Sequence, residues 1–163
     1  MSEVFFISDL HIGHKNIHKF RVFPKEFSCE EDHREYIKKC WNDTISKRDV
    51  VWVLGDVIFK EELIPFLDQL KGSKRLILGN HDLEARHYIG HADFVGGMAR
   101  YKGFWLTHCP IHPQELRGHF NIHGHVHGQT LYDRRYFNAC PENHGYSPIS
   151  FDTIKATMEK LNA

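Results

Sequence analysis

Five apolar runs, each stopping at Asp, Asn or His, constrain this chain more than any other feature of it. Val4-Phe5-Phe6-Ile7 leads into Asp9-Leu10-His11, Val50-Val51-Trp52-Val53-Leu54 into Gly55-Asp56, and Leu76-Ile77-Leu78 into Gly79-Asn80-His81-Asp82. Phe104-Trp105-Leu106 leads into His108, and Phe120-Asn121-Ile122 into Gly124-His125-Val126-His127. Short apolar runs rich in aromatic and β-branched residues and bounded by turn formers read as buried strands. In α/β sheets ligands bind in the crevice beyond the carboxyl ends of the strands, so five such ends can converge on one polar site. Any one of them alone is ordinary turn chemistry, since Gly, Asn and Asp suit tight turns and helix caps. Their repetition sets them apart.

The segments between these runs carry helical spacing. Ser28-Cys29-Glu30-Glu31 is a capping-box pattern, and Tyr36, Ile37, Trp41 and Ile45 recur on one face, which predicts a helix over about residues 29–46. Leu63, Phe66, Leu67 and Leu70 predict a second helix stopped by Gly72, and a short third one capped by Asp82 and ending before Gly90. With strands at 3–8, 50–54 and 75–78 the first half reads βαβαβα, a doubly wound pattern. The second half reads mainly β. Met98–Tyr101 and Phe104–Thr107 flank the turn dipeptide Lys102-Gly103, further strands are expected near 119–123, 129–132 and 136–140, and a last helix carries Ile154, Met158 and Leu161 behind a Ser150 cap.

A chain of 163 residues with 41% hydrophobic and 13% aromatic content suits one α/β domain spanning residues 1–163. Lys+Arg and Asp+Glu balance at 21 each, so bulk charge gives no grip on a long polyanion, and any phosphate must be met by a local site. Cys29, Cys40, Cys109 and Cys140 form no CxxC pair and the first residues do not resemble a signal peptide, so a cytoplasmic setting is expected. The apolar runs are of strand length, which predicts no membrane span. The outlier is histidine, at 14 residues. Histidine is the commonest metal ligand.

On a strand, positions i and i+2 face the same way, so Asp9 and His11 are placed to reach one ion, and His125 and His127 one ion or an adjacent pair. Asp56, with two oxygens, can bridge two ions. A mixture of Asp oxygens, the Asn80 carbonyl and His nitrogens is neither an all-oxygen Ca²⁺ cage nor a sulfur-rich structural Zn²⁺ site. It suits Mn²⁺ first, with Fe²⁺, Ni²⁺ and catalytic Zn²⁺ as alternatives. Two such ions about 3.5–4 Å apart hold a water between them, depress its pKa and clamp the oxygens of a phosphoryl group. The chemistry so implied is hydrolysis of a phosphoester.

With these blocks in order, Asp-Xaa-His, Gly-Asp, Gly-Asn-His-Asp, a lone His and Gly-His-Xaa-His, the sequence resembles the calcineurin-like metallophosphoesterases. The opening Asp9-Leu10-His11-Ile12-Gly13-His14 and the closing Tyr146-Ser147-Pro148-Ile149-Ser150 look like the small single-domain prokaryotic and viral phosphohydrolases of that family. The resemblance implies a four-layer α/β/β/α sandwich with mixed sheets and the site at the carboxyl ends of the strands. It implies that Asp9, His11, Asp56 and His127 hold a first divalent metal ion, and that Asp56, Asn80, His108 and His125 hold a second. His81 would stay off the metals and act as the catalytic residue, stabilising the phosphoryl oxygens or protonating the leaving oxygen. Several members of that family place an acid three residues after the bridging Asp. Here Phe59 stands there, so what orients His81 stays open, and Asp82 is expected to cap rather than to orient.

The remaining polar residues rank lower. His14, Lys15 and Asn16 follow the first ligands and are candidates for substrate contact, as is Arg117. Lys15, Lys19, Arg21 and Lys25 form a local basic stretch that would welcome a nucleotide or nucleic-acid end. His123 is assigned a supporting role on the side of His125, Cys109 is read as packing, and the other histidines as solvated or structural. The small chain without an evident lid favours phosphodiesters over phosphomonoesters. The rival reading, a non-catalytic protein-binding scaffold on the same fold, sits poorly with a chain that keeps every ligand block together with His81.

Overall fold

The computed structural model describes residues 2–21, 26–129 and 131–162. Two sheets stack face to face. In the first, β4 (Phe94–Gly96), β3 (Ser73–Ile77), β2 (Val50–Leu54) and β1 (Val4–Ile7) run parallel in that spatial order, and β9 (Ile149–Ser150) closes the edge antiparallel to β1. In the second, β5 (Met98–Tyr101) pairs antiparallel with β6 (Phe104–Thr107), and β7 (Phe120–His123) and β8 (Tyr136–Asn138) follow in parallel. This is the mixed α/β sandwich that the sequence implies.

Period-two alternation divides the core. Phe5, Ile7, Val51, Val53 and Leu76 face one apolar cluster with Ile37, Trp41 and Ile45, which belong to helix α2 (Glu30–Thr44) and its C-terminal boundary. Phe6, Trp52, Leu54 and Ile77 face the other, between the sheets, where they meet Phe104, Leu106, Ile122 and Phe137. Near-continuous apolar strands are what a sheet buried on both faces requires. Helix α3 (Phe151–Asn162) closes the inter-sheet core with Phe151, Ile154 and Met158, and its first turn is capped by Ser150 Oγ, which accepts from the Thr153 N–H at 3.2 Å.

Several local expectations change in three dimensions. The segment Glu61–Gln69 is a 3₁₀ helix, because Pro65 inside it cannot donate an α-helical hydrogen bond, although Ile64, Phe66 and Leu67 are still buried. No α-helix follows Asp82; a single 3₁₀ turn forms at Ala85–Tyr88, with Glu84 before it extended. Asp82 is drawn instead into bonds described below. Strand β4 was not foreseen, being only three residues that add to β3 as an edge. The strand expected near 129–132 is not formed at residues 129, 131 and 132; Thr130 lies outside the described residues. The loop after β1 holds one further short helix, α1 (Ile17–Phe20).

Trp41 is the largest side chain buried without any exposure, and its indole N–H donates to the Lys71 carbonyl at 2.9 Å, tying α2 to the approach of β3. Removing it leaves a cavity and an unpaired carbonyl. Trp41→Ala is therefore expected to destabilise the fold by about 3–5 kcal/mol in urea unfolding. A loss under about 1 kcal/mol would contradict this packing.

Candidate metal centre

The loops leaving the parallel strands continue side by side past the sheet. The N–H groups of Asp9, His11 and Ile12 donate to the carbonyls of Gly55, Asp56 and Val57 at 2.9–3.0 Å, so the first loop is zipped to the second. The second sheet is stitched on at the same end: Ser8 N–H donates to the Ala139 carbonyl at 3.1 Å, Ala139 N–H to the His123 carbonyl at 2.8 Å, and Gly124 N–H to the His108 carbonyl at 2.8 Å. All five apolar runs thus deliver their polar ends to one place.

The backbone that does this is not strand. Asp9, His11, Asp56, His125 and His127 all have φ between 49° and 71°, the left-handed region that non-glycine residues rarely occupy. The strand alternation invoked for Asp9/His11 and His125/His127 therefore does not apply, since β1 ends at Ile7 and β7 at His123. Left-handed residues at alternate positions turn both side chains inward instead. Three glycines make the close approach feasible. A Cβ at Gly55 would collide with the His108 ring, one at Gly79 with Asp56, and one at Gly124 with Asp9 Oδ2 and Ser8.

Two groups of donor atoms result. In the first, Asp9 Oδ1 lies 3.6 Å from His11 Nε2 and 3.8 Å from His127 Nε2, while His11 Nε2 lies 3.7 Å from Asp56 Oδ2. In the second, His108 Nε2 lies 3.5 Å from Asp56 Oδ1, 2.9 Å from Asn80 Oδ1 and 3.2 Å from His125 Nδ1. Asp56 belongs to both, one oxygen to each. With metal–ligand bonds of about 2.0–2.2 Å, neighbouring donors on one ion stand about 3–3.6 Å apart; the second group spans 2.9–3.5 Å and the first, at 3.6–3.8 Å, is slightly wider.

The protein satisfies the far side of these groups and leaves the near side bare. Asp9 Oδ2 accepts from the His125 N–H at 2.9 Å and from the Cys140 thiol at 3.3 Å, whereas Asp9 Oδ1 and His11 Nε2 are enclosed and unpartnered among the described residues. Buried atoms of that kind are costly unless something fills the gap. His108 Nδ1 faces the Leu54 carbonyl at 2.9 Å, a contact that favours the proton on Nδ1 and turns Nε2 to Asp56 and Asn80. Burial alone would raise the Asp9 carboxyl, but the neighbouring His11 ring, the His125 N–H and the nearby His108 outweigh it and hold it well below the usual carboxylate range. It is kept anionic. Burial, with Arg21 nearby, depresses His11, so its imidazole stays neutral. An anionic Asp9 beside a neutral His11 is the protonation state that cation binding needs, and the two donor groups meeting at Asp56 fit a pair of divalent ions.

A second layer, absent from the sequence reading, fixes this one. Arg21 was counted among open basic residues, but it is only 3% exposed. Its guanidinium donates to the Asp9 carbonyl at 2.6 Å, to the Leu10 carbonyl at 3.4 Å and to Glu142 Oε1 at 2.9 Å. Glu142, in the 3₁₀ turn Pro141–Asn143, sits 3.0 Å from His127 Nδ1, and that contact raises the His127 pKa. Asp82 is likewise a staple, not a cap: Oδ1 accepts from Val57 N–H at 2.7 Å and from Tyr88 Oη–H at 3.0 Å, and Oδ2 from Gly79 N–H at 2.8 Å. It locks the Asp56 loop to the Gly79-Asn80-His81 loop.

His81 stands at the exposed rim, its N–H donating to Asp56 Oδ1 at 3.0 Å. Phe59 lies against its ring at 5.3 Å between centroids, and also against His11 and His14 at 5.0 and 5.4 Å. An aromatic plate thus stands where an acid was expected. His123 is buried and its Nδ1 meets the Gly124 carbonyl at 2.9 Å, supporting the turn before His125. Cys109 is exposed, not packed, and with His108 and His125 brings a third donor within 4.8 Å. Lys15 and Asn16 are exposed beside His14, while Arg117 pairs with Glu115 at 3.2 Å on an exposed turn and touches none of the donors. Lys25 lies outside the described residues. No helix among the described residues is long and apolar enough to cross a membrane.

A two-sheet α/β sandwich carrying paired Asp/His/Asn donor groups at its strand ends defines a metal-dependent hydrolase of phosphate esters. A family profile described as calcineurin-like phosphoesterase matches residues 3–156, and the chain belongs to that family. It is 32% identical to the uncharacterized protein MJ1445 of Methanocaldococcus jannaschii, with 98% of this chain and 93% of that protein covered. It is 30% identical to the Gene 66 protein of Mycobacterium phage D29, covering 80% and 81%. The fold is shared with the protein of unknown function AQ665 from Aquifex aeolicus, at a TM-score of 0.76, 24% identity and coverage of 96% and 99%.

Two measurements check the supporting layer. Glu142→Gln is expected to weaken Mn²⁺ binding about 10–100-fold in calorimetry at fixed pH, and an unchanged Kd would show that Glu142 does not orient His127. His33, wholly buried, receives the Arg21 N–H on Nε2 at 3.1 Å, and burial with Arg21 drives its pKa down to about 3. The unfolded chain, with an imidazole near pKa 6.5, binds a proton that the native state refuses. This contribution is complete above about pH 6.5 and is lost as the pH falls towards 3, amounting to about 2 kcal/mol by pH 5. In metal-free protein, His33→Phe should shrink the drop in stability between pH 7 and pH 5 by about that amount. An identical drop in both proteins would refute it.

Proposed function

We propose that this chain is a two-metal phosphodiesterase, with phosphomonoesters as poorer substrates and Mn²⁺ as its first-choice ion. The observation that supports it is the sharing of Asp56 between two donor groups, one built with Asp9, His11 and His127, the other with Asn80, His108 and His125. Fe²⁺, Ni²⁺ and Zn²⁺ suit the same donors. When bound, such a pair of ions supplies Lewis acidity to the phosphoryl oxygens and acidifies an attacking water.

The chain's own residues do the rest. Asp9 and Asp56 provide the negative charge that draws the cations in, and Asn80 adds a neutral oxygen. Arg21 and Glu142 hold Asp9 and His127 in place, so the donors need not reorganise when a substrate arrives. His81, exposed and at the rim, faces the position where the phosphoryl group would sit. Its imidazole donates to a phosphoryl oxygen and then to the departing ester oxygen as negative charge builds there. Phe59 holds that ring by contact, which limits its rotation without adding a competing charge. The open rim, without a covering segment among the described residues, accommodates a group on both sides of phosphorus, which favours a diester. Four free cysteines suit the cytoplasm.

The test is hydrolysis of bis(p-nitrophenyl) phosphate and p-nitrophenyl phosphate by the Mn²⁺-loaded protein. Turnover is expected to be faster on the diester and abolished by a chelator. His81→Ala should lower kcat by about 10²–10⁴ while the bound Mn²⁺ is retained. A metal-loaded protein that turns over neither ester would count for a binding scaffold on this fold, and full activity in His81→Ala would remove His81 from the chemistry.

A further inference from the structure

Beside the first donor group the surface opens into a pocket of about 420 Å³, lined by His11, His14, Ile17, Phe20, His127 and Glu142. Its size falls within the range of roughly 300–1,000 Å³ typical of small-ligand sites. Two of its walls, His11 and His127, are members of the donor group, so whatever fills it is joined to the phosphoryl centre. The mouth is formed by Phe20 on α1, whose side chain is 72% exposed. The Phe20 and His14 rings meet edge to face at 5.9 Å between centroids, and most of the Phe20 surface stays exposed. An exposed aromatic ring that lines a pocket at a reactive centre offers a stacking surface for a planar ligand.

The polar character of the pocket narrows the ligand. Arg21 reaches its wall, but four of its five N–H donors are committed to Glu142, His33 and the Asp9 and Leu10 carbonyls. Glu142 Oε2 is itself enclosed, so the carboxylate does not offer its full charge to a ligand. The complement is an uncharged group with a flat ring.

Building on the phosphodiesterase reading, we infer that this pocket takes the nucleoside of a nucleotide ester, with the base stacked on Phe20. Every base has a π face, so the pocket selects nucleosides as a class with little preference among the four.

The experiment compares two esters that release the same p-nitrophenolate, thymidine 5′-(p-nitrophenyl phosphate) and methyl p-nitrophenyl phosphate, with Mn²⁺-loaded protein. The ratio of kcat/KM for the thymidine ester over the methyl ester is expected to fall about ten-fold or more in Phe20→Ala and to recover in Phe20→Trp. A ratio unchanged by Phe20→Ala, with both esters hydrolysed, overturns the nucleoside pocket and leaves the hydrolase intact. Calorimetry with thymidine 5′-monophosphate separates the two readings from the other side. Binding that weakens ten-fold or more in Phe20→Ala without turnover of either ester upholds the pocket and overturns the hydrolase. Neither binding nor turnover overturns both.

Discussion

Two carboxylates, Asp9 and Asp56, are held inside the protein within reach of the same imidazole, and the rest of the structure follows from placing them there. Burial alone would push the Asp9 carboxyl towards its protonated form. The fold opposes that outcome on one side only. Asp9 Oδ2 and Asp56 Oδ1 accept backbone N–H groups from His125 and His81, while Asp9 Oδ1 is left facing an enclosed gap. A carboxylate stabilised from behind and bare in front is a poor structural ion pair and a good cation ligand. His108 and His127 turn Nδ1 to the Leu54 carbonyl and to Glu142, which leaves Nε2 on the side of the two carboxylates.

The cost of this arrangement is spread through the backbone. Five left-handed residues and three glycines without room for a Cβ are unfavourable locally, and strain of this kind persists only where surrounding contacts over-determine it. Here the over-determination is visible. The β1 and β2 loops are zipped by successive hydrogen bonds, Asp82 staples the β2 loop to the β3 loop, and Arg21 clamps the Asp9 backbone to Glu142. Each clamp joins loops that leave different strands, and the Ser8–Ala139 and Ala139–His123 backbone bonds tie the second sheet to the same end.

This division also explains what was legible in the sequence. Apolar runs report burial, and their polar ends report where chain leaves the sheet, so the strand ends, the seven donors and the α/β class could be read from residue order. Their backbone conformation could not, because left-handed geometry at Asp9 or His127 is imposed by loop pairing, and so the alternation argument reached side chains that do lie together, but through the wrong geometry. Asp82 reads locally as a cap and Arg21 as a surface base, yet tertiary partners claim both. Glu142 carries no local pattern beyond the polar cluster Cys140-Pro141-Glu142-Asn143-His144, since its partners come from loops after β1 and β7. Pro65 was a readable sign of a 3₁₀ rather than an α segment and was outweighed by the apolar stripe. Cys109 followed a ligand and looked like packing, because sequence does not say on which side of a strand end the chain turns outward.

The account rests on two cation positions that share one carboxylate. It is tested most directly by anomalous scattering from crystals grown with excess manganese, supported by elemental analysis of the same protein. The prediction is two manganese peaks per chain, one among Asp9, His11 and His127 and the other among Asn80, His108 and His125, with Asp56 between them. A single peak away from Asp56, or none, would contradict it.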